Sequence, residues 1–282
     1  MSSQSFTLGS PAATGYETTN YLQLVTSGQT ATSHYGLVAQ NIEDVRTLAG
    51  ETVTVSFYAK ATSGTPKIGT ELLQTFGTGG GASSMVSTPL GAATLSTSWA
   101  RYSFTTTLPS LSGKTLGATA NTHYLALALW CSAGTDSNTR ASSIGIQSNT
   151  FHIWGVQVER GSYATPYELR NIQQETTLCE RFYQYYDQPH MTGVTAFTNN
   201  AVAYRVGTVL RTAMRAAPNV SFSGTVNVFD GGNTPSVSSI GTQYNTIHSV
   251  EFDLNLSSAL QAITAAVIYA NTSGKMFVNA EF

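Results

Sequence analysis

The chain is 282 residues long and carries 13 Lys and Arg against 15 Asp and Glu, a net charge of −2 at pH 7. Charged residues make up only 10% of it, while hydrophobic residues reach 41% and Ser and Thr number 72. This excludes a disordered tail, which combines low hydrophobicity with high net charge, and a nucleic-acid binder, which needs clustered cations to neutralise phosphate. The longest clean apolar run, Leu125 to Cys131, is far short of the roughly 20 residues needed to cross a bilayer as a helix.

Residues 1–35 read as an N-terminal arm or a set of first strands. They have no basic segment followed by an apolar one, so no signal peptide is expected. From Glu51 to Lys60, Val53, Val55 and Phe57 alternate with Thr52, Thr54 and Ser56, the period-2 pattern of a half-buried strand. The same pattern holds for 99–107, 123–131 and 151–159; in the last, alternation puts Trp154 on one face with Val156 and Val158, and Gln157 on the other. Turn-rich connections lie at Thr62–Pro66, Thr78–Ala82 and Ser132–Asn138. Short strands joined by Gly, Ser and Asn loops predict a jelly-roll β-sandwich over 36–167.

Residues 168–187 lack both Gly and Pro and predict a short helical linker whose one side carries Ile172, Leu178, Phe182, Tyr185 and Tyr186, although the tyrosine-rich end equally fits the start of a strand. Strand-like composition returns in 201–210, 219–229, 248–256, 263–270 and 275–282, with turns at 231–235 and 271–274. The fold class is therefore all-β: an N-terminal jelly roll, a short helical linker, and a smaller β-sandwich-like domain over 188–282.

Little here is equipped for catalysis. The five histidines (His34, His123, His152, His190, His248) never reach ligand spacing, and neither a zinc motif nor a nucleophile elbow is present, so no metal, no catalytic residue and no cofactor is expected. Gly77 to Gly81 leads into no helix and no Walker-spaced Lys, which makes it a loop rather than a phosphate cradle. A glycosidase needs two carboxylates across a cleft; Glu43, Asp44, Glu51, Glu71, Asp136, Glu159 and Glu168 show no distinctive spacing. Cys131 and Cys179 sit in unrelated contexts and read as buried thiols.

Aromatic residues are more informative: 3 Trp, 14 Tyr and 12 Phe. Trp99, Trp130 and Trp154 stand in strand patterns and read as core. Tyr21, Tyr35 and Tyr163 lie outside alternating runs and are the candidate ligand-binding residues, because a neutral sugar needs a flat apolar face with fixed polar groups around it.

Several stretches carry a family resemblance. They are Gln40 to Glu43, Leu48 to Ala61, Gln74 to Gly80, Ser98 to Arg101 and Phe151 to Gly161 followed by Ala164 to Glu168. They resemble the jelly-roll module of tail-fibre and other virion proteins of tailed bacteriophages, which is similar in outline to carbohydrate-binding modules. Leu178 to Tyr183 resembles that family's linker. Val206 to Val220, with Met214-Arg-Ala-Ala-Pro218 at its centre, and Val278 to Phe282 resemble its C-terminal β-domain. Tyr58 stands where the family usually has Trp, and Phe182 where Tyr is common.

The resemblance implies a non-enzymatic phage fibre or adhesion protein at the tail or capsid surface of the virion, assembled in the host cytoplasm. It implies a homotrimer whose partners are other virion proteins and host-surface polysaccharide, without nucleic acid or membrane insertion. Two alternatives stay open: a purely structural capsid-decoration or tail component, and a polysaccharide-degrading tail spike.

Overall fold

The alternating segments do form strands. The computed structural model describes residues 1–187, 197–200, 203–229, 234–258, 267–270 and 274–281, which divide into two compact units, 1–168 and 169–281. Most of the turns expected at 231–235 and 271–274, part of the strands expected at 201–210 and 263–270, and His190 lie outside the described residues.

The first unit holds β1 (Ser2–Ser5), β2 (Asn20–Thr26), β3 (Tyr35–Ile42), β4 (Thr52–Ala61), β5 (Lys67–Phe76), β6 (Val86–Thr94), β7 (Ala100–Thr107), β8 (His123–Ala133) and β9 (Asn149–Arg160). They pair antiparallel in two sheets, a five-stranded one of order β1-β2-β9-β4-β7 and a four-stranded one of order β3-β8-β5-β6. Residues 1–35 thus supply two strands to the five-stranded sheet.

The two sheets form a jelly-roll β-sandwich around one core. Val53, Val55 and Phe57 of β4 and Phe151 and Ile153 of β9 share that core with Ile68 and Leu72 of β5 and Leu125, Leu127 and Leu129 of β8. Burial of each such side chain contributes about 1.5–3 kcal/mol relative to exposure. Cys131 lies in this core, where burial pushes its thiol pKa up.

The outer face of the four-stranded sheet is also covered. Residues 134–146 fold over it, burying Ala141 and Ile144 against Ala128 and Trp130. The approach is close enough to demand Gly69: a Cβ there would sit 2.4 Å from the Ala141 carbonyl oxygen. Beneath this loop lies Glu71, with no exposed side-chain surface. Arg140 donates to its two oxygens at 2.8 and 3.1 Å, Trp130 Nε1 at 3.0 Å and Ser87 Oγ at 2.5 Å. The Arg140 guanidinium also lies 5.1 Å from the Trp130 ring centre. Four donated bonds satisfy the carboxylate, which is what a buried charge requires.

The second unit opens with α1 (Ile172–Glu180), capped by Asn171, whose side chain accepts from the Gln173 amide. No one-sided apolar stripe forms. Ile172 and Leu178 are six positions apart, about 120° around a helix, and both are exposed. Cys179 is exposed as well, so only one of the two cysteines is a buried thiol; neither is in a disulfide. The helix ends before the tyrosines, and β10 (Tyr183–Asp187) turns Tyr185 outward and Tyr186 toward the core.

The remaining strands are β11 (Phe197–Asn200), β12 (Ala203–Val209), β13 (Asn219–Ser223), β14 (Val226–Phe229), β15 (Val237–Gln243), β16 (Ser249–Leu256), β17 (Val267–Ala270) and β18 (Lys275–Asn279). Gly224, in a left-handed conformation at φ 69°, splits the strand expected at 219–229 into two. The sheets are β10-β18-β13, β11-β12-β16-β15 and β14-β17. Val206, Met214, Val228, Phe252, Met276 and Val278 are among the residues of their shared core.

Three of the short motifs meet here. The Arg215 amide donates to the Arg181 carbonyl at 2.9 Å, Arg215 Nη1 to the Ala280 carbonyl at 2.9 Å, and the Ala280 amide to the Phe182 carbonyl at 2.9 Å. The residues after the helix, the Met214 segment and the last strand are thereby tied into one unit.

The Glu71 site predicts an asymmetry. Arg140→Leu strands a fully buried carboxylate and should cost about 3–5 kcal/mol, whereas Glu71→Leu leaves an arginine already one-third exposed that can turn to water, and should cost less. Urea unfolding followed by tryptophan fluorescence, which reports the first unit alone because all three tryptophans lie there, measures both. Equal losses would contradict the assignment.

Candidate ligand-binding surface

The outer face of the five-stranded sheet carries a cluster of aromatic rings, and one irregularity sets its composition. Along β4, Val53, Val55 and Phe57 point into the core, and Thr54, Ser56, Tyr58 and Lys60 point out. In β9 the register against β4 shifts: Ser56 opposes Gln157, but Tyr58 opposes Trp154 and Lys60 opposes His152. Two residues, Gly155 and Val156, therefore face Phe57 alone. This is a β-bulge, with Gly155 at φ 61°, a conformation that glycine adopts without strain.

The bulge overturns the face expected from alternation. Trp154 and Gln157 lie on the same outer face, Val158 packs on the core, and Val156 is exposed at the bulge itself. Trp154 is thus buried outside the sandwich, by Tyr58 at 5.2 Å, Tyr167 at 4.9 Å, Tyr16 at 5.6 Å and Phe6 at 6.2 Å between ring centres. Trp130 belongs to the cluster under residues 134–146, and Trp99 is only half-buried. No tryptophan stands in the main core.

Below the bulge the outer face is polar. Gln157 Nε2 donates to Glu159 at 2.9 Å and to Thr165 Oγ1 at 3.0 Å. Glu159 accepts from the Thr165 amide at 3.0 Å and its hydroxyl at 2.6 Å. Arg101 donates to Ser56 Oγ at 3.0 Å and to the Thr165 carbonyl. These bonds hold residues 161–168 across β4 and β9. Burial alone would raise the Glu159 pKa, but the hydrogen bonds from Thr165 and Gln157 and the charge of Arg101 hold it below the usual carboxylate range.

Above the bulge the face is aromatic and partly open. Tyr21, on β2, contacts Phe6 at 4.8 Å, Trp99 at 5.5 Å and the His152 ring at 4.8 Å. The Lys60 ammonium lies 5.3 Å from the Trp99 ring centre. Gln23 Nε2 is 3.1 Å from His152 Nε2, while Gln23 Oε1 faces Gln4 and Ser2 of β1. Burial, helped by the Lys60 charge, lowers the His152 pKa and so favours the neutral ring. The result is a floor of half-buried rings edged by amides, one hydroxyl and one ammonium, able to stack on a flat apolar face and hydrogen-bond around it.

Of the three candidate residues, only Tyr21 enters this cluster. Tyr35 lies on β3 in the other sheet, exposed, with its ring 5.7 Å from Trp130. Tyr163 stands in the segment after β9 and is 73% exposed. Sequence reasoning missed Phe6, Tyr16 and Tyr167, which complete the aromatic layer. Their signal was present: large rings isolated in stretches of Ser, Thr, Gly and Pro have no local reason to be there.

Several of the carboxylates have structural partners. Besides Glu71 and Glu159, Asp44 accepts from Arg46 at 2.8 Å, Glu51 is 3.4 Å from Arg160, and Asp136 accepts from Thr32 at 3.2 Å. Among the described residues no group of three His, Cys, Asp or Glu could hold a metal ion, and no helix is long and apolar enough to cross a membrane. In the second unit a cleft of about 470 Å³ lies between β13 and β15, lined by Val220, Phe222, Val226, Val237 and Ile240. Gln243 closes one end by bonding both the amide and the carbonyl of Val220.

No protein-family model matches the chain, and no curated protein matches it. Solved structures with a related shape include a CBM4 structure, 18% identical, covering 50% of this chain and 71% of that one at a TM-score of 0.31. Another is the CBM22-2 xylan-binding domain from Paenibacillus barcinonensis Xyn10C, 20% identical, covering 52% of this chain and 82% of that one at 0.34. A third is the tripod of the bacteriophage Tuc2009 baseplate, 16% identical, covering 62% of this chain and 74% of that one at 0.26. At TM-scores this low the likenesses carry no weight for the function.

The bulge is directly testable. Gly155→Val places a β-branched residue at positive φ and a Cβ 3.1 Å from the Tyr58 ring, and should destabilise the first unit by about 1–3 kcal/mol. Tryptophan emission should shift to the red as the Trp154 cover loosens. An unchanged spectrum and unfolding midpoint would rule out the bulge.

Proposed function

We propose that this chain is a non-enzymatic component of a bacteriophage virion, a fibre or adhesion protein that contacts a host-surface glycan and assembles as a homotrimer. The observation that carries the glycan reading is the cluster of Tyr21, Phe6 and Trp99 on the outer face of the five-stranded sheet, rimmed by Gln4, Gln23 and Lys60. Sugar rings present C–H faces to aromatic surfaces and hydroxyls to amides, and a chain with 10% charged residues offers mainly such uncharged contacts.

The virion assignment draws on the order and spacing of the motifs between residues 40 and 282. The non-enzymatic reading draws on the carboxylates, of which Glu71, Glu159, Asp44, Glu51 and Asp136 are engaged by structural partners. Tyr35 and Tyr163 offer further exposed rings to the same class of ligand.

Titration of the intact protein with purified host lipopolysaccharide or capsular polysaccharide tests this. Tyr21→Ala and Trp99→Ala should each weaken binding roughly 2- to 10-fold, the contribution of one stacked ring, without depolymerising the polysaccharide. Light scattering should give the mass of a trimer. A monodisperse monomer that binds neither cells nor their glycans would end the adhesion reading.

A further inference from the structure

The second unit carries an aromatic surface of its own. The sheet β10-β18-β13 packs Gln184, Tyr186, Met276, Val278, Val220 and Phe222 inward. Its register sets the opposite face in three rows: Tyr183, Asn279 and Asn219; Tyr185, Phe277 and Ser221; Asp187, Lys275 and Ser223. The Tyr183 and Tyr185 rings lie 6.2 and 5.7 Å from Phe277, inclined to it by only 30° and 33°. Each tyrosine is 37% exposed. Rings on an outer sheet face have no core to fill, and the polar residues beside them (Asn219, Ser221, Ser223 and Asn279) are all exposed.

We propose that this face is a second saccharide-binding platform, on which Tyr183, Phe277 and Tyr185 stack successive units of a neutral oligosaccharide while Asn219, Asn279, Ser221 and Ser223 hydrogen-bond its hydroxyls. The ring spacing of 5.7 to 6.2 Å is close to the length of one pyranose unit. Asp187 and Lys275 oppose each other across the register and offset each other's charge, with Glu281 the one further charge acting on Tyr183, and the many uncharged polar groups suit a neutral sugar. A single-stranded nucleic acid, the other ligand that stacks on aromatic rows, would need a track of phosphate-neutralising cations, and Lys275 is the one cation in the three rows.

Size separates the sugar from a second copy of the chain. Three strands of five residues span roughly 10 by 17 Å. That is a fraction of the ~800 Å² per partner of a stable protein interface, but enough for a few sugar units.

The choice of ligand class rests on the glycan reading of the chain; the location does not. The test uses the full chain in three forms: the natural sequence, Tyr183→Ser/Tyr185→Ser, and Tyr21→Ala/Trp99→Ala. Each is titrated by calorimetry with neutral xylo-, cello-, malto- and manno-oligosaccharides and with purified host polysaccharide, and its mass is measured by light scattering. Tyr185→Phe and the thermal unfolding midpoint control for folding. The platform predicts a second binding component, separate from the one that Tyr21 and Trp99 supply, which the Tyr21/Trp99 variant retains, which weakens at least 10-fold in the Tyr183/Tyr185 variant, and which Tyr185→Phe preserves.

Binding lost only in the Tyr21/Trp99 variant would overturn the platform while leaving the glycan reading intact. Absence of binding by every form would overturn both. A drop in assembly mass in the Tyr183/Tyr185 variant would show the face to be a protein interface, and would overturn the platform alone.

Discussion

One extra residue in β9 divides the outer face of the first unit into two surfaces of different chemistry. Above Gly155, outward positions hold His152 and Trp154 and recruit Phe6, Tyr16, Tyr21, Tyr58 and Trp99 into an aromatic layer. Below it, outward positions hold Gln157 and Glu159, which fix Thr165 and the segment around it. Unbroken alternation would send Gln157 and Glu159 inward and Val158 out, placing a carboxylate in a core of Val, Leu and Phe. The bulge lets both halves of β9 keep their apolar residues on the same core.

The sandwich was legible because its strands obey the rule that makes them strands. In β4, β7, β8 and β9 the period-2 alternation, or a continuous apolar run, marks each element. A bulge leaves no such mark: Trp154, Val156 and Val158 satisfy perfect alternation on paper, and only the pairing with Ser56 and Tyr58 shows that they do not share a face. Tyr21 was identifiable as a free ring, but its neighbours come from Phe6, Trp99 and His152, distant in sequence. Ile172 and Leu178 failed for the opposite reason: their apolar character invites a helix stripe that their six-residue spacing cannot make.

Scarcity of charge leaves a visible imprint on how the few ionised groups are used. Glu71 with Arg140, Glu159 with Arg101, and Arg205 with Asp253 at 2.6 Å each join separate strands or segments. The guanidinium of Arg205 also lies over Tyr244, that of Arg211 over Tyr186 and that of Arg140 over Trp130. Planar, weakly hydrated guanidinium combines a carboxylate partner with an aromatic one, a double contact that a lysine ammonium makes less well. The remaining surface is left to hydroxyls, amides and aromatic rings.

The position of β18 has a consequence for how the chain acquires its shape during synthesis. It is the middle strand of β10-β18-β13, and Ala280 just beyond it closes the hydrogen bonds to Phe182 and Arg215. β10 and β13, about thirty residues apart in sequence, are thus left unbridged until β18, about fifty residues further along, arrives. The first unit has every strand in hand once residue 160 has been made and can fold while the ribosome is still working, whereas the second must wait for residue 280. During that interval Tyr186, Val220 and Phe222 have no β18 to cover them. A nascent chain stalled before residue 275 would present a finished sandwich followed by an unpaired, aggregation-prone segment.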